Sequence, residues 1–256
     1  GATGVLQNSS SVLTADQKKR LEQAKKSDSP VFIVTESEAK ASEDNHSKTN
    51  KTWKYKATNV RDFAFATSRK FIWDAQNTNV GGKDVLCMSY YPKEGNPLWE
   101  RYSTKLVAHT VQTYSKYTVD YPYPVAISVH SKSIGMEYPM ICFNGGRPEA
   151  DGTYSERTKY GMWGVIIHEV GHNFFPMIIN SDERQWTWMD EGLNTFVQYL
   201  TEQEWERDYP SRRGPAYKIA DYMKGDKSNI SPIMTNSESI WQFGNNAYGK
   251  PATALV

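Results

Sequence analysis

The sequence predicts an α+β protein with a mixed sheet in its N-terminal half and helices in its C-terminal half. Three observations favour this fold class. Apolar runs typical of strands dominate roughly the first 150 residues, and apolar residues recur every three or four positions after about residue 155. The 256 residues also suffice to bury a core of this kind. Strands that precede helices along a chain indicate segregated layers.

The first fifty residues contain one helix signal and one strand signal. Thr14 and Gln17 have capping-box spacing, which predicts a short charged helix that ends near Lys26. Residues 31–35 are apolar and largely β-branched, so they are predicted to form a strand. Residues 36–51 are polar and are predicted to form a loop or linker.

Extended segments and one long helix are predicted next. Residues 53–57 alternate apolar and polar side chains, and residues 84–91 and 125–130 have the composition of strands. Residues 97–117 have helical spacing and stop before a turn-rich Asp-Tyr-Pro-Tyr-Pro segment. These segments supply the predicted sheet and a helix that packs on it.

Four helices are predicted in the C-terminal half. The first covers about residues 160–176, the second about residues 191–207 and the third residues 215–223. The last begins near residue 236 and reaches Val256 without a stop signal. That ending and the Gly start indicate a piece cut from a longer protein.

Composition excludes several classes of function. Lys+Arg 30 against Asp+Glu 29 gives a net charge of +1 and no basic stripe, so no nucleic-acid partner is expected. Apolar runs are far shorter than the ~20 residues of a membrane span, so none is expected in this chain. The two cysteines cannot form a disulfide framework or a Cys-based zinc site. They leave the cellular compartment open: cytoplasmic, periplasmic or exported.

One segment carries the chemistry, His168-Glu169-Val170-Gly171-His172. Two histidines four residues apart share one face of a helix and can offer two imidazole nitrogens to one ion. Glu169 lies beside that face, where a carboxylate can reach a water bound to the ion. Such a ligand set with an open position is typical of catalytic zinc, so one Zn²⁺ is predicted as the cofactor.

A third protein ligand is expected from the acidic pair Asp190-Glu191, which opens the second predicted helix. Glu191 is the candidate ligand, and Asp190 is the candidate partner for the other nitrogen of a ligand imidazole. Acidic residues are also common in the first turn of any helix, because they interact favourably with the helix dipole. The two histidines upstream favour the ligand interpretation.

With these residues in place, the sequence resembles the aminopeptidase N (membrane alanyl aminopeptidase) family of gluzincin zinc metallopeptidases. His168-Glu169-x-x-His172 is followed after eighteen residues by Glu191. The segment around Glu191 reads Trp-Met-Asp-Glu-Gly, where the family typically has Trp-Leu-Asn-Glu-Gly.

Two further motifs carry the resemblance. Ile-Gly-Met-Glu-Tyr stands where the family has Gly-Ala/Gly-Met-Glu-Asn, with Glu137 31 residues before His168. Tyr248 lies 57 residues after Glu191, in Tyr-Gly-Lys-Pro-Ala where the family has Tyr-x-Lys-Gly-Ala. Residues 59–64 are similar to the family's entry into its catalytic domain. None of the departures removes a catalytic group.

The resemblance implies a zinc-dependent aminopeptidase that removes single N-terminal residues from peptides. His168, His172 and Glu191 are implied as the zinc ligands. Glu169 is implied as the general base, and Tyr248 as the hydrogen-bond donor to the oxyanion.

The resemblance also implies how the substrate is held. Glu137 is implied to bind the free α-ammonium of the peptide, because a carboxylate there gains a charge-assisted bond only with an unblocked N-terminus. Gly135 and Met136 are implied to present backbone groups to the peptide. The expected partners are therefore peptides with a free N-terminus.

The implied fold is a thermolysin-like catalytic domain over residues 59–256, truncated at its C-terminus. Residues 1–58 are expected to be the remnant of a preceding β-rich domain and a linker. The chain is expected to contact further N- and C-terminal domains of its parent protein. Two alternatives stay open: a gluzincin endopeptidase, which has no use for Glu137, and a family-like interaction module without turnover.

Overall fold

The computed structural model describes residues 1–45, 47–132 and 134–256. Its strands are β1 (Val5–Leu6), β2 (Val31–Val34), β3 (Tyr55–Lys56), β4 (Ile72–Val80), β5 (Lys83–Tyr91), β6 (Val125–His130), β7 (Gly135–Tyr138) and β8 (Ile141–Asn144). Its α-helices are α1 (Ser9–Val12), α2 (Ala15–Ala24), α3 (Glu36–Asp44), α4 (Leu98–Tyr117), α5 (Glu156–Gly171), α6 (Leu193–Trp205), α7 (Ala220–Lys224) and α8 (Lys250–Leu255). Segments with π-helical hydrogen bonds are Asn173–Ile178, Trp188–Gly192 and Gly244–Gly249.

The predicted mixed sheet is confirmed, with strand order β2-β4-β5-β6-β8-β7. The pairs β2/β4, β4/β5 and β7/β8 are antiparallel, whereas β5/β6 and β6/β8 are parallel. Parallel neighbours need a crossover connection, and α4 supplies the one between β5 and β6. Strand β7 lies at the edge of this sheet, next to the C-terminal helices.

Helix α4 joins the sheet to the helical half. It contacts β4 and β5 on one side and α5 and α6 on another. Its side chains Trp99, Leu106, Val111 and Tyr114 are fully buried. A helix that is apolar over so much of its surface packs between layers, which explains the central position of α4. Helix α4 therefore lies between the sheet and α5.

Helix α3 corrects the prediction of a loop or linker over residues 36–51. Thr35 caps this helix, because its hydroxyl accepts from the backbone of Glu38 while the Glu38 carboxylate accepts from the backbone of Thr35. Arg20 of α2 donates to Glu38 at 2.6 Å and ties the two helices together. The apolar pattern of α3 is weak, so its caps rather than its periodicity define it.

The C-terminal helices are shorter than predicted. The helix expected over 160–176 ends at Gly171, because Phe175 is extended (φ −129°, ψ 109°) and Pro176 follows it. The helix expected to begin at 191 is preceded by a π-helical turn and begins at Leu193. Both differences fall next to the candidate ligands.

The last predicted helix also begins later than expected. Residues 236–242 are not helical, and the positive φ of Gln242 (47°) interrupts any regular helix there. Helical structure starts at Phe243 and continues through α8. The helix predicted over 215–223 is two short pieces, Ala216–Lys218 and α7.

The predicted extended segment over 53–57 is confirmed only as the two-residue strand β3, which pairs with β1. The division of the chain at residue 58 stays a prediction. Strand β2, which precedes that position, pairs with β4, which follows it. Within the residues that the model describes, no helix has the length and apolar character needed to cross a membrane.

A buried polar cluster joins β4, β5 and α4 beneath the site-bearing helices. Asp74 is fully buried and accepts hydrogen bonds from the hydroxyls of Tyr91, at 2.5 Å, and Thr104. The Ser89 hydroxyl lies 2.7 Å from the Thr104 hydroxyl and donates to it, since the Thr104 proton goes to Asp74. Burial raises the pKa of Asp74 to about 7, although the two hydroxyls act in the opposite direction.

This carboxyl makes the stability of the fold depend on pH. The folded chain retains a proton on Asp74 that the unfolded chain releases near pH 4, so folding is favoured at low pH and loses that contribution as pH rises to about 7. Relative to Asp74→Asn, the wild-type free energy of unfolding should decrease from pH 4 to 7 by up to about 1.4 kcal/mol per pH unit. Urea titrations at several pH values measure this difference. Parallel curves for the two proteins would contradict it.

Candidate metal site

Helix α5 and the turn before α6 bring three predicted ligands together. His168 and His172 lie one helical turn apart, with their Nε2 atoms 3.0 Å from each other. The Oε2 atom of Glu191 lies 3.0 Å from the Nε2 of His168 and 3.3 Å from the Nε2 of His172. Two imidazole nitrogens and one carboxylate oxygen therefore face a common point.

The donor set fits a zinc ion. Ligand atoms about 2.0–2.1 Å from a tetrahedral zinc ion lie roughly 3.3 Å apart, close to the sides of this triangle. The two nitrogens and one oxygen are also the ligand types that zinc prefers at catalytic sites. All three side chains are largely buried, with His172 only 1% exposed.

Each imidazole is held through its other ring nitrogen. The Nδ1 of His168 lies 2.8 Å from the Oε1 of Gln198. The Nδ1 of His172 lies 2.8 Å from the carbonyl oxygen of Phe175 and 2.9 Å from the Oδ1 of Asp190. The neighbours at 2.8 Å are acceptors, and the Asn194 amide nitrogen, 3.3 Å from the Nδ1 of His168, donates to the His168 carbonyl at 2.9 Å. A proton on each Nδ1 therefore leaves both Nε2 lone pairs for an ion. Asp190 thus lies close to the His172 imidazole, as the sequence predicts, but the hydrogen-bond acceptor for the His172 Nδ1 is the Phe175 carbonyl.

The orientation of the Gln198 amide is itself determined by its neighbours. Its Nε2 donates to the Oε1 of Glu202 at 2.7 Å and to the carbonyl of Gly164 at 3.2 Å. Ser211 donates to the other oxygen of Glu202 at 2.5 Å. Since the amide nitrogen has two acceptors on one side, the amide oxygen must point to His168. Residues 198 and 202 are four positions apart in α6 and share one face of it, and this spacing could have predicted their contact from the sequence.

Glu169 lies beside the triangle with one oxygen unpaired. Its side chain is 6% exposed, and its Oε2 has no hydrogen-bond partner among the residues that the model describes. Burial raises its pKa to about 7 against the opposing effect of the two imidazoles. A buried carboxylate oxygen is costly to leave unpaired, so this oxygen is available to a polar ligand or a water.

Strand β7 passes close to Glu169. A Cβ on Gly135 would lie 2.4 Å from the Oε1 of Glu169 and 2.8 Å from a methyl of Val165, so only glycine allows this approach. Glu137, two residues along the strand, points to the same side, and Met136 between them is exposed. One acid oxygen of Glu137 lies within 4.8 Å of ligand atoms of both Glu169 and His172.

Tyr248 closes the site from the C-terminal segment. Its ring stacks against His168 with 5.8 Å between centroids. Burial and the Glu191 carboxylate raise the pKa of Tyr248, so the phenol keeps its proton and is a hydrogen-bond donor. The guanidinium of Arg213 lies over the Tyr248 ring, 4.3 Å from its centroid. No pattern in the sequence indicated the contact with Arg213.

The electrostatics of the cluster favour a cation at its centre. Burial alone would raise the pKa of Glu191, but His168 and His172, when protonated on Nε2, donate to its carboxylate and hold its pKa well below its usual range. Burial would likewise lower the pKa of His172, yet Asp190 and Glu191 outweigh burial and raise it. Carboxylates therefore outnumber the groups that can neutralise them, which is the environment a metal ion requires.

A cleft of about 1050 Å³ leads to this cluster between α5, α6 and the loop at 209–213. His168, Glu169 and Tyr248 line its inner end. The cleft is large enough for a small peptide, since ligand pockets commonly measure about 300–1,000 Å³.

Comparisons with known proteins leave the family of this chain open. No model of a known family matches the sequence, and a search of curated proteins finds no match. Among solved structures, the chain is similar to the M1 zinc metallopeptidase from Deinococcus radiodurans, at 16% identity and a TM-score of 0.48, over 72% of this chain and 39% of that chain. The E323A mutant of that protein gives 17% identity over the same shares.

A second similar structure is aminopeptidase A from Legionella pneumophila in complex with aspartic acid. It has 14% identity and a TM-score of 0.41, over 52% of this chain and 16% of that chain. The chain thus spans about two fifths of the length of the Deinococcus protein and a smaller share of the Legionella protein. At such identities the likeness concerns the course of the chain only.

The close packing of α5 near the ligands gives a test within one helix. A Cβ on Gly171 would lie 2.3 Å from the Tyr114 hydroxyl and 2.4 Å from the Oδ1 of Asn194, whereas a Cβ on Gly161 meets nothing within 4 Å. Gly171→Ala should therefore lower the free energy of unfolding by about 1–3 kcal/mol through overpacking. Gly161→Ala, the matched control, should raise it by up to about 1 kcal/mol. Denaturant titration measures both, and equal effects would contradict the predicted packing.

Proposed function

We propose that this chain is the catalytic part of a zinc-dependent aminopeptidase that removes single N-terminal residues from peptides. The observation that carries the proposal is the position of Glu137, whose carboxylate lies beside Glu169 and His172 at one end of the ligand triangle. A carboxylate there limits the space for the substrate to one residue before the scissile bond. An endopeptidase must leave that direction open.

His168, His172 and Glu191 would hold the zinc ion. When bound, zinc supplies Lewis-acid chemistry: it polarises a carbonyl and lowers the pKa of a bound water towards about 7. The chain contributes fixed orientation, since Gln198 holds one imidazole and the Phe175 carbonyl the other.

Glu169 would act as the general base. Its Oε2 is buried and unpaired, so it can accept the proton of the attacking water and then deliver it to the leaving amine. Gly135 leaves room for this carboxylate, and a side chain at that position would displace it.

Tyr248 would donate a hydrogen bond to the oxyanion of the tetrahedral intermediate. It is protonated, and its ring is held between His168 and Arg213. Loss of such a donor typically costs about 10²–10³ in rate.

Strand β7 would bind the peptide backbone. It is an edge strand paired with β8 on one side, so the backbone groups of alternate residues, those of Gly135 among them, point away from β8 and can pair with an extended peptide, while Met136 lies next to them. Glu137 would bind the α-ammonium of the same peptide through a charge-assisted hydrogen bond. We also propose that the parent protein is an aminopeptidase and that this chain contacts its other domains.

The amine anchor is tested by one pair of peptides and one substitution. The zinc-loaded chain should shorten a peptide with a free N-terminus one residue at a time and leave its N-acetylated form intact, as followed by mass spectrometry. Glu137→Ala should lower kcat/KM for the free peptide by roughly 10–100-fold, because a hydrogen bond to a charged group is lost, and should keep its zinc. Glu238→Ala, on an exposed surface pair with Arg184, is the control and should change neither property.

Two results would redirect the assignment. Internal cleavage of both peptides would favour an endopeptidase. If Glu169→Gln left the measured function of the protein unchanged, a non-catalytic interaction module would replace the enzyme.

The support of His168 is tested by metal affinity. Glu202→Gln allows the Gln198 amide to rotate, because position 202 then offers both a donor and an acceptor. The His168 tautomer is no longer fixed, and the dissociation constant for Zn²⁺ should rise by roughly 10–100-fold in a chelator competition. The double variant Gln198→Glu with Glu202→Gln should restore it, since a carboxylate at 198 accepts the His168 proton directly.

Glu204→Gln is the matched control for this experiment. Glu204 lies on the same helix but pairs with Lys116 at 2.6 Å, on another face. Equal zinc affinities for the variants at 202 and 204 would refute the role of Glu202.

A further inference from the structure

Two adjacent arginines lie in the cleft without an acidic partner. Arg212 and Arg213 line the cleft together with Tyr248, and neither forms an ion pair within the parts of the chain that the model describes. They also line a smaller neighbouring cavity of about 460 Å³, to which Lys218 adds a further cation. The entrance to the site is therefore positively charged.

Besides Glu169, which forms no ion pair with either arginine among the described residues, two acidic residues of the same cleft already have partners. Glu202 is 4% exposed and accepts from Gln198 and Ser211. Glu156, on the first turn of α5, pairs with Lys159 at 3.0 Å. Neither is available to Arg213, so the guanidinium donors are free to bind an anion from outside.

Arg213 is also held at a defined place. Its guanidinium lies 4.3 Å from the centroid of the Tyr248 ring, which stacks against His168 at 5.8 Å. An extended residue spans about 3.3–3.6 Å, so these two contacts in series place the cation within about three residues of the ligand triangle. Stacking on the aromatic face leaves the edge of the guanidinium available for a bidentate contact with a carboxylate.

The cation and the proposed amine anchor lie on different sides of the triangle. Glu137 is close to His172 and Glu169, whereas Arg213 is reached through Tyr248 on the His168 side. A peptide whose amine binds Glu137 and whose scissile carbonyl lies at the triangle would thus extend its leaving part towards Arg213. The charges of the cleft match those of a short peptide, with its ammonium at one end and its carboxylate at the other.

We propose that Arg213, with Arg212 beside it, binds a carboxylate on the leaving side of the substrate, so that the enzyme prefers short peptides with a negative charge within about three residues of the scissile bond. This inference rests on the proposed aminopeptidase function. The carboxylate can be the C-terminus of a di- or tripeptide or an acidic side chain of a longer peptide.

Three peptides test the proposal: Ala-Ala-Ala, its C-terminal amide, and the amide Ala-Asp-Ala-NH₂. If Arg213 binds the C-terminal carboxylate of the peptide, KM should be about tenfold lower for Ala-Ala-Ala than for its amide, because the charge-assisted bond is lost in the amide. If Arg213 instead binds an acidic side chain, Ala-Asp-Ala-NH₂ should have the lowest KM of the three peptides. Equal values for all three peptides would overturn the proposal.

Substitutions assign the effect to Arg213. In Arg213→Gln, the ratio of KM between the neutral amide and the favoured acid should fall to about one, whatever happens to the absolute rate. Arg213→Lys should retain most of the ratio, since the charge remains. Arg207→Gln is the control, because Arg207 is highly exposed outside the cleft. An unchanged ratio in Arg213→Gln would refute the assignment.

A binding experiment separates this inference from the proposed function. Calorimetric titration of Glu169→Gln with Ala-Ala-Ala and its amide needs no turnover. Tighter binding of the acid that disappears in the additional variant Arg213→Gln supports the carboxylate site even if no peptide is hydrolysed. Hydrolysis without any difference in binding would instead leave the aminopeptidase standing and overturn the carboxylate site.

Discussion

The structure depends on the need to balance negative charge in a buried place. Carboxylates from three elements converge on two imidazoles: Glu137 from β7, Glu169 from α5, and Asp190 and Glu191 from the turn before α6. At the low effective dielectric of an interior, such groups repel strongly unless a cation lies among them. The pKa of Glu191 is lowered and that of His172 is raised because each group stabilises the charged form of the other, with Asp190 adding to the effect on His172. The surrounding fold holds these carboxylates close together despite their mutual repulsion.

Glycines make this convergence geometrically possible. Gly135 lets β7 approach Glu169, Gly171 lets the end of α5 approach Tyr114 and Asn194, and Gly192 lets the ligand-bearing turn approach Pro251, where a Cβ would lie 2.6 Å from the proline ring. Each contact brings one wall of the site closer than any larger residue allows. The site is therefore assembled by backbone proximity, and its side chains converge because the elements beneath them do.

Local patterns predicted the parts of the site that local geometry determines. His168 and His172 meet because a helix places residues four apart on one face, and that follows from spacing alone. Strands β2, β5 and β6 and helix α4 also followed from apolar patterning, which does not encode whether strands pair parallel or antiparallel. The contacts of Gln198 with His168 and of Arg213 with Tyr248 could not be predicted from local patterns, because they depend on how separate elements pack. The end of α5 was misplaced because the extended Phe175 reflects tertiary packing next to Pro176, which periodicity does not encode.

Buried acids in this chain show how functional and structural carboxylates differ. Burial raises the pKa of Asp74, Glu169 and Glu202 alike to about 7, so the shift by itself does not distinguish them. Hydrogen bonding does: both oxygens of Asp74 and of Glu202 accept from side chains, whereas the Oε2 of Glu169 has no partner among the described residues. A paired acid specifies packing, and an unpaired one retains the capacity to bind a proton or a ligand. That capacity supports the general-base role proposed for Glu169.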